Sequence, residues 1–149
     1  PGVGDMAPDF SLVDTNLNDV SLSDFSGRKK LLSIVPSLYT GVCATTTKKF
    51  NGLAAKNPDA LILIVSADLP FAQARFCGVE NTDSVKTLSM MRSRKFAKDY
   101  GVLIQDGPFA GIAARAVLVL DQNNKVIYSE LVPDIGQEPD YDAAMAALD

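Results

Sequence analysis

Two apolar runs flank a segment of helical spacing, and that order constrains the fold more than any other feature of the chain. The runs are Lys30-Leu31-Leu32-Ser33-Ile34-Val35 and Leu61-Ile62-Leu63-Ile64-Val65-Ser66. Each is too short for a helix and too continuous for a half-exposed strand, so each reads as a strand buried on both faces. Between them, from Val42 onward, Phe50, Leu53 and Ala54 recur at helical spacing until Asn57-Pro58 ends the pattern. Strand, helix, strand in this order makes the two strands parallel with a right-handed crossover. At 149 residues the chain is long enough for one domain, residues 1–149, with a well-buried core.

The remaining segments extend this plan. Residues 9–12 read as a strand and 20–22 as an extended piece, after which Ser23 has the character of an N-cap for one turn through Phe25 that stops at Gly27. Asp68 reads as the cap of a second helix, with Pro70 at its start and Gly78 just past its end. Past a loop, residues 85–88 form a candidate strand and 92–100 a helix. Residues 113–120 and 125–132 are strands joined through Asp121-Gln122-Asn123-Asn124, which has the turn chemistry of a hairpin, and 139–148 is a terminal helix. A parallel half, an antiparallel hairpin and a last helix resemble the thioredoxin-like α/β plan, a central mixed sheet flanked by helices. There is no repeat, low-complexity tract or linker.

Composition removes several classes of function. A net charge of −4 and a pI near 4.7 argue against a general nucleic-acid or anionic-membrane surface, which needs clustered Lys and Arg. The short basic runs Arg28-Lys29-Lys30 and Lys48-Lys49 read as solvated faces. No apolar run approaches the roughly 18 residues of a spanning helix, and no signal peptide precedes Pro1. That points weakly to the cytoplasm and leaves the periplasm open. Two cysteines and no histidine remove His-based catalysis and any simple zinc site, and no metal or other cofactor is expected.

The two cysteines differ in character. Cys43 follows the first buried strand and opens a helix, where N–H groups converge, whereas Cys77 closes the second helix at Phe76-Cys77-Gly78, where carbonyls do. Helix polarity therefore makes Cys43 the easier thiolate and Cys77 the ordinary thiol. Gly41 frees the backbone at the turn, Thr40 occupies or precedes the N-cap, and Thr40 and Cys43 share one side of the helix start. Pro36 gives up an N–H at the end of a buried strand and holds the turn away from the sheet. Arg115 stands in the apolar strand Ala113-Ala114-Arg115-Ala116-Val117, so its head either snorkels to water or meets an anion such as the Cys43 sulfur. The blander alternative makes Thr40 a simple cap and both cysteines small buried hydrophobes. Their spacing fits neither a metal pattern nor Cys-x-x-Cys.

Pro36-x-x-x-Thr40-x-x-Cys43 is similar to the active-site signature of the peroxiredoxins. The segment 66–73 leading to Phe76-Cys77-Gly78, together with Ala113-Ala114-Arg115-Ala116-Val117 and Glu138-Pro139-Asp140-Tyr141, resembles specifically their bacterial thiol peroxidase branch over nearly the whole chain. The resemblance implies an atypical two-cysteine peroxiredoxin, a homodimer, reducing hydrogen peroxide and organic hydroperoxides in antioxidant defence. Cys43 would be peroxidatic and Cys77 resolving within the same subunit; Thr40 and Arg115 would activate the site, and thioredoxin would reduce the disulfide. Cys43 would pass through a sulfenic acid before pairing with Cys77, and disulfide geometry then requires at least one helix to unwind.

Three departures from the branch stand out. Tyr39 replaces a typical Asp beside the active-site turn, Met90-Met91 replaces a pair that usually includes an aromatic residue, and an N-terminal hairpin expected ahead of Val3-Gly4-Asp5 is missing. Two rival readings remain at this level. One is a non-catalytic thioredoxin-like binding domain with Arg115 on its surface; the other is an exported protein with a structural Cys43–Cys77 disulfide.

Overall fold

The computed structural model describes residues 1–80, 84–134 and 136–148. Seven strands form one mixed sheet: β1 (Ser11–Val13), β2 (Asp19–Ser21), β3 (Lys30–Ile34), β4 (Leu61–Ser66), β5 (Lys86–Ser89), β6 (Ala116–Leu120) and β7 (Val126–Leu131), in the spatial order β2-β1-β5-β4-β3-β6-β7. The helices are α1 (Gly41–Lys56), α2 (Pro70–Glu80), α3 (Lys95–Asp99) and α4 (Tyr141–Leu148). Strands β3, β4 and β5 run parallel, as the βαβ reading requires, and β6 joins β3 antiparallel.

The central strands are apolar on both sides because both faces of the sheet are covered. Leu32, Ile34, Leu63, Val65 and Leu118 pack into one layer with Phe96 of α3 and the N-terminal Phe10 and Leu12. Their alternates Leu31, Ile62, Ile64, Val117 and Val119 pack into the other with Phe50 of α1, Phe76 of α2 and Ala144 of α4. The period of two thus sorts one continuous run into two cores.

Several boundaries differ from the sequence expectation, each for a local reason. The turn at Leu22–Phe25 begins two residues earlier, capped by Ser21 instead of Ser23, and the Ser21 N–H donates to Asp24 Oδ2 at 2.8 Å. Helix α3 starts only at Lys95, because Ser93 and Arg94 spend their side chains on the Lys95 N–H and on the carbonyls of Met90 and Gly111. Strand β6 starts at Ala116; Ala113 instead bridges Leu103, and the Ala114 N–H donates to Val102. Helix α2 continues past Gly78 to Glu80. The loop expected before residue 85 falls partly on residues 81–83, outside the described residues.

Lys30, expected on a solvated face, is fully buried at the head of β3, and its ammonium donates to the side-chain carbonyl of Asn124 in the hairpin turn. Burial lowers its pKa against the opposing pull of Asp121. That turn is organised as its residues suggest. Asp121 Oδ1 accepts from the N–H groups of Asn123 and Lys125, and Asn124 takes a left-handed φ of 66°.

Candidate active site

The C-terminal ends of β3 and β4 are where α1 and α2 begin, a direct consequence of two parallel strands each followed by a helix. The parallel ladder ends with the Val35 N–H donating to Val65 at 2.9 Å. Pro36 follows, buried and without an N–H to offer, and the chain leaves the sheet. The loop 37–40 is held from below by Asp68. Its carboxylate accepts from the Ser37 hydroxyl at 2.7 Å, the Leu38 N–H at 2.7 Å and the Ser66 hydroxyl at 2.8 Å. Asp68, expected to cap α2, thus commits its carboxylate to the loop ahead of α1.

Thr40 is the N-cap of α1, with extended backbone, and its carbonyl accepts from the Ala44 N–H at 3.0 Å. Its hydroxyl does not cap; it donates to the Ser37 carbonyl at 3.1 Å. Gly41 is the first helical residue, its φ is not in the left-handed region, and an added methyl would meet nothing within 4 Å. The turn therefore does not depend on the backbone freedom expected of Gly41. Cys43 falls in the first turn, where N–H groups lack intrahelical acceptors.

The antiparallel register that sets Ala116 against Ile34 leaves Arg115 just beyond the end of β3, at the same edge of the sheet. Arg115 does not snorkel to water: it is 1% exposed, and its Nη2 donates to Cys43 Sγ at 3.1 Å. Cys43 is itself 0% exposed. A fixed cation therefore meets a thiol sealed from bulk solvent, which strengthens any charge developing there. Beside the loop, a groove of about 820 Å³ opens between α1 and α2, lined among others by Leu38, Tyr39, Thr40, Phe71, Phe76 and Val79.

Cys77 lies apart from this cluster. It is half-buried in the last turn of α2 and lines a separate cavity of about 460 Å³ with residues 14–16 and 85–87. Both cysteines are free thiols. The structure thus gathers Pro36, Thr40, Cys43 and Arg115 at one sheet edge and leaves Cys77 outside.

The redoxin family model matches residues 2–145. The chain is 49% identical over 148 residues to a thiol peroxidase of Corynebacterium glutamicum, covering 99% of this chain and 89% of that one. The chain belongs to the peroxiredoxins, in their thiol peroxidase branch. Solved structures agree. A peroxiredoxin-like protein from Aquifex aeolicus superposes with a TM-score of 0.93 at 41% identity, covering 99% of this chain and 86% of that one. A thiol peroxidase from Chromobacterium violaceum gives 0.92 at 29%, with the same coverage.

Two features of this peroxiredoxin escaped sequence reasoning. The first is the polar cluster around Asp68, in which Gln73 of α2 donates to Ser66 Oγ at 3.0 Å and the Leu88 carbonyl at 2.9 Å. Its signal is the polar trio Ser66, Asp68 and Gln73 beside an apolar strand, which the helix-cap reading absorbed. The second is Tyr141, whose hydroxyl donates to Glu138 Oε1 at 2.7 Å and lies 3.3 Å from Thr46 Oγ1, one turn after Cys43. Burial, reinforced by Glu138, pushes the Tyr141 phenol up to about 12. Of the departures, Met90 is buried in the core and Tyr39 reaches across to α2, its hydroxyl donating to the Ala72 carbonyl at 3.0 Å. Among the described residues no group of His, Cys, Asp and Glu is placed to hold a metal ion, and no helix is long and apolar enough to cross a membrane.

Proposed function

We propose that this peroxidase acts through Cys43 as the peroxidatic thiol, with Cys77 as its resolving partner in the same chain, residues 1–149 working as one domain. The observation that carries the reading is the 3.1 Å contact from Arg115 to a completely buried Cys43 sulfur. The Cys43 thiolate attacks the terminal oxygen of a hydroperoxide. The O–O bond breaks, Cys43 becomes a sulfenic acid, and the departing oxygen takes a proton to leave as water or an alcohol.

Arg115 stabilises the negative charge as it passes from sulfur to the leaving oxygen, and its planar fork suits two oxygens in line. Thr40 has spent its hydroxyl proton on Ser37, so its oxygen is left as an acceptor for the proton of the incoming peroxide. Pro36 keeps the loop clear of the sheet so that the helix N–H groups face the reacting oxygens. Positioning has to outweigh acidity here. Full ionisation of a thiol with an ordinary pKa near 8.5 raises the thiolate fraction at pH 7 by no more than about thirtyfold.

The Cys43 sulfenic acid then condenses with the Cys77 thiol, releasing water, and an external dithiol, thioredoxin, reduces the disulfide. The substrates are hydrogen peroxide and alkyl hydroperoxides, the second suited by the apolar groove beside Thr40. No prosthetic group takes part. A homodimer working in the cytoplasm as an antioxidant completes the reading, by likeness to the branch. Stopped-flow mixing of the reduced protein with hydrogen peroxide and with an alkyl hydroperoxide tests it. Rapid consumption with loss of the Cys43 thiol is the expected result, and a protein that consumes neither peroxide defeats the proposal.

A further inference from the structure

Tyr39 ties the loop ahead of Cys43 to the helix that carries Cys77. It is 58% exposed, yet both ends of its ring system are engaged. The hydroxyl donates to the Ala72 carbonyl at 3.0 Å, and the ring stands edge-on to Phe76, with centroids 5.8 Å apart and planes at 84°. In an α-helix the carbonyl of Ala72 is the acceptor for the N–H of Phe76, four residues on. Tyr39 therefore grips both partners of one helical link, immediately before Cys77.

Cys77 faces away from that grip. At about 100° of rotation per residue, the mean direction of Cys77 and Ala74 lies roughly half a turn around α2 from the mean direction of Phe71, Ala72, Phe76 and Val79. The two sets accordingly line different cavities. A disulfide requires Cα atoms within about 7 Å and Cβ vectors that point at each other. On the proposed pairing α2 unwinds around Cys77, which packs against the core layer that contains Cys43, and Phe76, buried in that layer, leaves its place.

We infer that Tyr39 is a positioning residue of the resolving step, a clasp that keeps α2 wound and so lengthens the life of the Cys43 sulfenic acid. The inference rests on the Cys43–Cys77 pairing proposed above. The sulfenic acid has two fates. It condenses with the Cys77 thiol to give a disulfide and water, or its sulfur attacks a second hydroperoxide, gaining one oxygen as a sulfinic acid while the peroxide leaves as water or an alcohol. The first rate depends on unwinding, whereas the second grows with peroxide concentration. The clasp therefore sets the peroxide level at which the enzyme inactivates itself.

The test compares the wild type with Tyr39→Phe, which removes only the hydroxyl. Reduced protein is mixed with hydrogen peroxide, quenched over time, and read by mass spectrometry as dimedone-trapped sulfenic acid, disulfide and sulfinic acid. Condensation is expected to accelerate about twofold to tenfold, the range one hydrogen bond supports, and the sulfinic fraction at high peroxide should fall in proportion. In a Cys77→Ser background the substitution should alter neither sulfenic acid lifetime nor sulfinic acid formation. Condensation that is unchanged or slower, or an effect that persists without Cys77, overturns the clasp while leaving the pairing intact. A wild-type protein that consumes peroxide without forming the Cys43–Cys77 disulfide overturns the pairing and the clasp together.

Discussion

The guanidinium of Arg115 donates to the Cys43 sulfur at 3.1 Å although 72 positions separate the two residues, and neither side chain is open to solvent. Burying an unpaired guanidinium costs several kcal/mol, and Arg115 is carried inside with an electron-rich partner, the Cys43 sulfur, beside it. Arg115→Ala is expected to slow the peroxide step by about 10²- to 10³-fold, the usual loss when one donor to a developing oxyanion is removed. Arg115→Lys keeps the charge without the fork and should fall between the two. Second-order rate constants from stopped-flow decide it, and an undiminished rate in Arg115→Ala would remove the residue from the mechanism.

The cysteines should separate cleanly by kinetics. Cys43→Ser is expected to consume no peroxide. Cys77→Ser, given peroxide in equimolar amount, should complete one turnover and then stall when thioredoxin is the reductant. Steady-state turnover equal to wild type in Cys77→Ser would rule it out as the resolver.

Asp68 touches no reacting atom, yet it anchors the loop through Ser37, Leu38 and Ser66. Asp68→Ala strands a backbone N–H and two hydroxyls, and should destabilise the fold by about 1–3 kcal/mol. The loop that sets Thr40 and Cys43 then loosens, so the peroxide step should slow as well. Urea midpoints and stopped-flow rates measured on the same preparation check both parts, and an unchanged midpoint would show the network to be dispensable.

Access to Cys43 should depend on reagent size. Its sulfur is 0% exposed, whereas Cys77 is half-buried beside a cavity. In the reduced protein, N-ethylmaleimide is expected to modify Cys77 first while hydrogen peroxide oxidises Cys43 first. Peptide mapping after brief exposure reads the order, and preferential alkylation of Cys43 would show that the loop opens freely.

Alkaline stability carries a sign fixed by the tyrosines. Burial first, with nearby carboxylates, raises the phenols of Tyr128 and Tyr141 to about 12 from the ordinary value of 10.0, and raises Tyr100 further. Above pH 10 the unfolded chain releases these protons while the folded protein retains them, so stability falls as pH climbs from about 10 to 12. Lys30 works in the opposite sense, its pKa lowered by burial, but its contribution is complete once pH passes the unfolded value of 10.5. Thermal unfolding followed from pH 9 to 11.5 should show a falling midpoint above pH 10; a flat profile would mean the phenols are not held protonated.

What the sequence determined by itself was local or periodic. The two fully apolar runs fixed buried parallel strands, because alternation is lost only when both faces are covered. Leu61–Ser66 matches its expected span, and the start of α1 at Gly41 after Thr40 is within a residue of its expected place. The helix-start cysteine, the threonine at the N-cap position and the strand-ending proline were legible for the same reason, since each is defined by its chain neighbours. Tertiary structure decided whatever depended on partners distant in sequence. Whether Arg115 met water or sulfur turned on the β3–β6 register. Asp68 went to Ser37 and Leu38 instead of its own helix, because the neighbouring parallel strand delivers that loop beside it. Lys30 is buried because the hairpin turn supplies Asn124 as its acceptor, and Tyr39 meets α2 because α1 and α2 rise from adjacent strands. A hydrogen bond declares its donor in the sequence, but its acceptor is chosen only when the chain is packed.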